Sequence, residues 1–339
     1  MLSTKFPESS QKVLITGGAG FVGYHLARYL LDVYGEGAQL TLVDNLWRGK
    51  KDADFEQLLT DSRVTFINLD LTDRIVYEKL GGDYDHVYHL AAVNGTRHFY
   101  ERPHEVLRIN TLSLVYILEW LSQHSPSAKF CFTSSNEAYA GGLNAFNQLP
   151  LPTPENVPLV IEDPYNPRWS YAATKLAGEL FVINYSKMNK FPAVIVRPHN
   201  FYGPRAGTDH VIPEFASKIL KRTDPFPIQG GNETRTFCYI TDAVHAMRLL
   251  MDSPRTNEQP IETVHIGDNR EITIRELAEA MFSIAGWRPQ QVAYKDSLVG
   301  SVKRRRADIS KLQRLVNWHP EVSLEEGLAR TFAWYSTKL

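Results

Sequence analysis

The segment Thr16-Gly-Gly-Ala-Gly-Phe-Val-Gly23 constrains this chain more than any other. It follows Val13-Leu-Ile-Thr16, which reads as a strand, and it opens a stretch from Phe21 to Tyr34 that reads as a helix. A strand–turn–helix unit that cradles a pyrophosphate needs glycine for a tight turn, for close backbone approach to the phosphates and for close helix–strand packing. Gly17, Gly20 and Gly23 supply these, and the helix N-terminus then faces the phosphates. Asp44 ends the next expected strand, Leu40–Asp44, 21 residues after Gly23. A carboxylate there binds an adenosine ribose 2′-hydroxyl and repels a 2′-phosphate, so NAD is expected over NADP. Arg48, four residues further on, softens that discrimination.

Further short apolar runs at Val64–Asn68, His86–Leu90, Lys129–Thr133 and Ala193–Arg197 alternate with amphipathic stretches. That order predicts right-handed βαβ crossovers and a parallel sheet, a doubly wound Rossmann-type α/β fold. Residues 1–200 are assigned to the NAD-binding domain. After about residue 200 loops dominate, and residues 201–339 are expected to form mainly a smaller lobe over the sheet, with some chain crossing between the two. Ile274–Ala285 and Leu324–Tyr335 read as helices there, the first with Thr273 and Glu276 spaced for a capping box. Between 105 and 122, apolar residues go most of the way round a helix. Packing on the sheet alone and a four-helix contact in a homodimer both account for that.

The 37 Lys and Arg balance 38 Asp and Glu, for a net charge of −1. Such a chain has no bulk attraction to nucleic acid or acidic membranes, and neither partner is expected. No apolar run approaches a membrane span and the N-terminal residues are polar, so a cytoplasmic location is expected. Two cysteines make no disulfide framework, and the histidines show no metal-ligand spacing, so no metal is expected.

Tyr171-Ala-Ala-Thr-Lys175 places a phenol and an ammonium one helical turn apart. A neighbouring cation lowers a phenol's pKa from about 10, which makes tyrosine usable as a base near neutrality. The Thr133-Ser134-Ser135 strand end offers a hydroxyl to share its proton.

With Val43-Asp-Asn-Leu46, HLAA at 89–92, RPHNFYGPR at 197–205, TRTFCYITDA at 234–243, RRADISKL and VSLEEGL, the chain resembles the extended short-chain dehydrogenases/reductases that act on nucleotide sugars. The resemblance covers nearly the whole length. It implies tightly bound NAD and makes the C-terminal lobe a nucleotide-sugar site, with UDP-sugars favoured. It implies that Tyr171 takes a proton from a sugar hydroxyl, usually at C4, as NAD accepts the hydride. Lys175 would hold the nicotinamide ribose, and Ser135 would bond the same hydroxyl. Cofactor contacts are implied at Gly17, Gly20, Phe21, Val22, Gly23, Asp44, Asn45, Asp70, Leu71, Leu90, Ala91, Ala92, Thr133, Tyr171, Lys175 and Pro198. Asp70 either caps the adenine or forms an Asx turn before Thr72.

The second chemical step is read at Ser135-Asn136-Glu137. Related 4,6-dehydratases carry Thr-Asp-Glu or Thr-Ser-Glu there, decarboxylases Thr-Ser-Glu, and simple 4-epimerases usually lack the acid. Glu137 argues against a plain epimerase, and the Asn136 amide cannot protonate a leaving hydroxyl. Pro167-Arg-Trp-Ser-Tyr171 is similar to the PRWxY stretch of UDP-glucuronate decarboxylases, and Arg205 and Arg305 match arginines that those enzymes place around carboxylate and phosphates. A pyrophosphate clamp accounts for Arg235 and Arg305 equally well. Asn94 and Asn200 are expected near the sugar, His199 is expected to be structural, and Lys303–Arg306 is expected to be a solvated or phosphate-facing loop. The leading expectation is C4 oxidation followed by decarboxylation of a UDP-uronate, making the enzyme a lyase. A 4,6- or 5,6-dehydratase and an epimerase are the alternatives. A dehydrogenase releasing a keto sugar and NADH, and a non-catalytic NAD sensor, are further ones. The intact Tyr171–Lys175 pair counts against the sensor.

Overall fold

Val13, Leu14 and Ile15 are all fully buried, and a strand with no polar face must be covered on both sides. The fold is that of a computed structural model, which describes residues 10–145, 149–254, 261–297 and 301–338. The chain runs β1 (Gln11–Thr16), α1 (Phe21–Tyr34), β2 (Ala38–Asp44), α2 (Ala53–Leu58), β3 (Val64–Asn68), β4 (His86–His89), α3 (Thr96–Glu101) and α4 (Pro103–His124). It continues as β5 (Lys129–Thr133), α5 (Glu137–Ala145), α6 (Trp169–Asn189) and β6 (Ala193–Pro198). Then come β7 (Phe201–Tyr202), α7 (Val211–Leu220), β8 (Phe226–Gln229), β9 (Thr234–Thr236), β10 (Cys238–Tyr239), α8 (Ile240–Asp252) and β11 (Ile261–Ile266). Last are β12 (Glu271–Thr273), α9 (Ile274–Ala285), β13 (Val292–Lys295), α10 (Ser310–Val316) and α11 (Leu324–Lys338).

Seven parallel strands form the central sheet in the order β11-β6-β5-β4-β1-β2-β3. The strand order reverses between β1 and β4, and the crevice beyond their carboxyl ends is where such sheets take ligands. Most expected elements fall on their predicted residues, α1, β3, β5 and α9 to the residue. The last helix runs three residues past Tyr335, to Lys338.

The seventh strand was not anticipated. β11 returns from beyond residue 200 to pair with β6, Ile261 opposite Ala193, and α8 packs against α1. The sheet layer therefore draws on both halves of the chain. Glu262 and His265 interrupt the apolar character of β11 and hide it from a search for apolar runs.

Helix α4 buries Val106, Leu114, Ile117, Leu118 and Leu121 against the sheet and α6, while Leu107 stays exposed on its outer side. The smaller lobe is held by the two-stranded pairs β8–β13 and β9–β12. Its helix α9 starts with the expected capping box: Thr273 Oγ1 accepts from the Glu276 N–H at 3.1 Å, and Glu276 Oε2 accepts from the Thr273 N–H at 2.7 Å. A bridge between Thr234 and Arg304 lays the segment after residue 301 across the lobe. Among the described residues no helix is long and apolar enough to cross a membrane.

Candidate active site

The glycine loop closes tightly on the sheet. Gly17 has φ +72°, and a Cβ there would lie 2.9 Å from the Ala91 nitrogen; one on Gly23 would lie 2.2 Å from the Gly17 carbonyl oxygen. Neither position accepts a side chain. The Gly17 and Gly18 N–H groups donate to Val43 O, which ties the loop to the end of β2. There Asp44 accepts from the Ala19 N–H at 3.2 Å and the Leu46 N–H at 2.8 Å, and burial raises its pKa. A cleft of about 400 Å³ opens on this loop, lined by Gly17, Gly20, Phe21, Val22, Gly23, Asp44, Asn45, Asp70, Leu71, Leu90, Ala91 and Ala92. A side-chain-free cradle with a carboxylate at the β2 end fits a dinucleotide with a free ribose diol. Asp70 forms the Asx turn, accepting from the Thr72 N–H and hydroxyl at 2.9 Å each, and it also lines the cleft.

A second cavity, of about 710 Å³, shares Phe21, Val22, Leu90, Ala92 and Asn94 with the first. Thr133, Ser135, Asn136, Glu137, Tyr171, Lys175, Pro198, Asn200, Arg235 and Arg305 line it. Tyr171 lies in the first turn of α6, with its phenol hydrogen-bonded to Ser135. Burial, then the Glu137 carboxylate, pushes the Tyr171 pKa up, while Ser135 and Arg48 pull it down. Lys175 Nζ donates to Thr133 O at 2.7 Å and lies 5.4 Å from the Tyr171 ring centre. Burial lowers its own pKa to about 7, against the opposing charge of Glu179. The expectation of a phenol depressed by lysine is therefore corrected. Burial and the Glu137 carboxylate outweigh Ser135 and Arg48 at Tyr171, and burial weakens the charge of Lys175 as well.

Glu137 opens α5, its N–H donating to Ser135 Oγ at 3.1 Å. Its carboxylate meets Arg305 Nη1 at 2.5 Å and Arg168 Nη1 at 3.5 Å. Burial opposes its ionisation, but Arg305 and Arg168 prevail and hold its pKa below the usual carboxylate value. Arg305 also donates to Asn136 Oδ1 at 3.4 Å. Arg235 pairs with Glu233 at 2.7 Å, and burial, then Arg305, lowers its pKa to about 10. Arg168 Nη1 and Arg305 Nε are buried without a hydrogen-bond partner.

Asn200 has φ +44° and donates to Thr236 O at 2.7 Å, and Asn94 Oδ1 accepts from the Gly95 N–H at 2.7 Å. His199 is fully buried and hydrogen-bonded to the Tyr139 hydroxyl at 2.9 Å, as a structural histidine would be. Of the basic run, Arg304 pairs with Glu271 at the surface and Arg305 turns inward.

Arg205 is not part of this cluster. Its Nε donates to Asp52 at 3.0 Å, its guanidinium lies 4.1 Å from the Tyr24 ring centre, and it lines the glycine-loop cleft instead. Two further residues belong to the site: Arg48, which the sequence marks only through its place beside Asp44, and Phe99, which it does not mark. Arg48 donates to Asn94 O and pairs with Asp209 at 3.4 Å, bridging the rim between the two cavities. Phe99 lines the second cavity and stacks on Tyr171. Helix α3 is too short for its periodicity to mark Phe99. Among the described residues no group of three or more His, Cys, Asp or Glu is placed to hold a metal ion.

The profile of the NAD dependent epimerase/dehydratase family matches residues 13–267. A UDP-N-acetyl-alpha-D-glucosaminuronate decarboxylase of Bacillus cytotoxicus is 30% identical over 334 residues, 96% of this chain and 98% of the relative. A putative UDP-glucose 4-epimerase of Methanocaldococcus jannaschii is 31% identical, over 95% of this chain and 97% of the relative. Among solved structures, a UDP-glucuronic acid 4-epimerase from Bacillus cereus, in complex with UDP-glucuronic acid and NAD, superposes with a TM-score of 0.85 at 27% identity. That match covers 97% of this chain and 100% of the other.

Proposed function

The chain belongs to the NAD-dependent epimerase/dehydratase family, and we propose that it oxidises C4 of a UDP-uronate and then decarboxylates the 4-keto sugar. The observation that carries the choice of substrate is the sharing of Glu137 by Arg305 and Arg168. Arg235 takes Glu233, so these three arginines face two carboxylates and one positive charge is in excess, with Arg305 Nε buried without a hydrogen-bond partner. A uronate carboxylate supplies the missing anion, and guanidinium groups suit it.

The glycine loop, Asp44 and the cleft around them would hold NAD. Bound there, NAD supplies the hydride acceptor and donor that the family's chemistry requires. Tyr171 serves as base toward the C4 hydroxyl, with Ser135 sharing that proton. Once C4 is a ketone, it lies β to the carboxylate, and the carbon–carbon bond to CO2 breaks with its electron pair delocalised into the ketone. Glu137 is held ionised and Asn136 is an amide, so neither offers the proton that a departing C6 hydroxyl would need. That favours decarboxylation over 4,6-dehydration. Epimerisation at C4 of the same uronate is the second reading, since the arginine cluster would hold a carboxylate that is retained.

Mass spectrometry of the product separates these. Purified protein with NAD is given UDP-glucuronate and UDP-N-acetylglucosaminuronate, with UDP-glucose, UDP-N-acetylglucosamine and dTDP-glucose in parallel. Loss of CO2 from a uronate supports the proposal. An unchanged mass with inverted C4, or loss of water from a neutral hexose, overturns it.

The outer sides of α4 and α6 carry Leu107, Leu180 and Met188, all exposed. These adjacent helices suit a contact with a second copy, and a homodimer is the corresponding assembly. Light scattering on the eluting protein tests it, and a monomer mass at micromolar concentration refutes it.

A further inference from the structure

Beneath the second cavity lies a fully engaged ion pair that the proposed reaction does not use. Glu179 follows Lys175 by one turn of α6 and is 2% exposed; Arg197 on β6 is 4% exposed. Arg197 Nε and Nη2 donate to the two Glu179 carboxylate oxygens at 2.8 and 2.7 Å. Ser134 Oγ donates to Glu179 Oε1 at 2.6 Å. Arg197 Nη1 donates to Glu155 O at 2.9 Å, and Glu155 Oε1 accepts from the His265 N–H at 3.0 Å. One carboxylate thus ties α6, the end of β5 and β6 together, and its arginine extends the tie to a loop braced by β11.

We propose that Glu179 and Arg197 are positioning residues that hold Lys175 and Ser135 in place from below. The inference rests on the roles given above to those two residues. Ser134 is the covalent neighbour of Ser135, and Lys175 Nζ donates to the carbonyl of Thr133 in the same strand end. The Glu179 fork fixes both sides of that arrangement. A buried ion pair repays its desolvation only where the geometry is good and the remaining donors are satisfied, and here they are.

The charge of Glu179 has a second consequence. Lys175 is faced by Tyr171 and Glu179 on its own helix, by the Phe132 ring and the Thr133 carbonyl on β5, and by His89 on β4. Burial, with Lys175 adding to it, drives the His89 pKa down to about 3, so it is neutral. Glu179 is then the anion that favours the ammonium form against burial.

The test is a titration of Lys175 that needs no substrate. Protein labelled at lysine Cε is followed by NMR, with the Lys175 signal assigned by its absence from Lys175→Arg. In Glu179→Met/Arg197→Met both charges leave together, so neither is orphaned. The expected result is a folded protein whose Lys175 midpoint falls by at least one pH unit. With a turned-over substrate, kcat falls at least tenfold while KM stays within about threefold, and the alkaline limb moves down by the same interval. A folded double variant with an unmoved midpoint overturns the proposal, whichever substrate proves correct. If the double variant fails to fold, Ser134→Ala removes a single tie: a kcat loss of threefold or more at constant KM and constant bound NAD supports the proposal, and unchanged kcat overturns it.

Discussion

The ring of Phe99 lies nearly parallel to that of Tyr171, with 5.1 Å between centroids and 16° between planes. Both rings are buried. Stacking of this kind is worth about 0.5–1.5 kcal/mol beyond area burial, and the electron-rich face of Phe99 disfavours a phenolate beneath it. Phe99→Leu keeps an apolar wall but releases the phenol. We expect kcat to fall up to about tenfold, with the Tyr171 titration moved to lower pH. A kcat equal to wild type would remove Phe99 from the site.

Tyr171→Phe keeps that stack and deletes only the hydroxyl. Turnover should fall by about 10²–10⁴, the usual worth of a positioned acid–base group. Bound NAD, extracted and quantified per chain, should be unchanged. Full activity would require another base.

Glu137→Gln leaves Arg305 and Arg168 without their shared carboxylate. Stranding buried charge typically costs about 3–5 kcal/mol. The pH dependence has a definite sign. The folded-state pKa of Glu137 is depressed, so its contribution is present above the unfolded carboxylate pKa and lost as pH falls through the folded one. The Tm difference between wild type and variant should therefore be widest near neutrality and shrink in acid. Glu137 also raises the Tyr171 pKa, so the variant phenol should titrate at lower pH. A Tm gap that widens in acid would contradict this account.

Arg48 is engaged by Asn94 and Asp209, and Asp44 is left to meet the ribose end of the cleft. The cofactor extracted from the purified protein should be NAD. Asp44→Ala should narrow the preference for NAD over NADP at least tenfold, measured by competition binding. An unchanged ratio would mean that Asp44 does not read the ribose.

Thr273→Ala removes the cap of α9, and with it one half of the capping box. The expected loss is about 1 kcal/mol, seen as a Tm lowered by a few degrees with activity intact. A Tm equal to that of wild type would show that the lobe does not limit unfolding.

Much of this molecule is written in short-range pattern. The glycine loop, the alternation of strand and helix, the capping box and the Tyr171–Lys175 pair each depend on residues within a few positions of one another. Steric demand at Gly17 and Gly23, and helical repeat at 171 and 175, act over that same range. This is why α1, β3, β5 and α9 fall where the residues alone place them.

The site's electrostatics are of another kind. Glu137 meets Arg305 across 168 positions, Arg205 turns away to Asp52, and Glu179 finds Arg197 on a different element. Nothing in local spacing encodes those partners. Nor does it encode how deeply Tyr171 and Lys175 are buried, which reverses the expected direction of the phenol's shift. Burial and long-range pairing exist only once the sheet, with β11 returned to its edge, has brought distant segments into contact. Desolvation grows with that enclosure, so which charges act on Tyr171, and which carboxylate the arginines hold, were settled by packing.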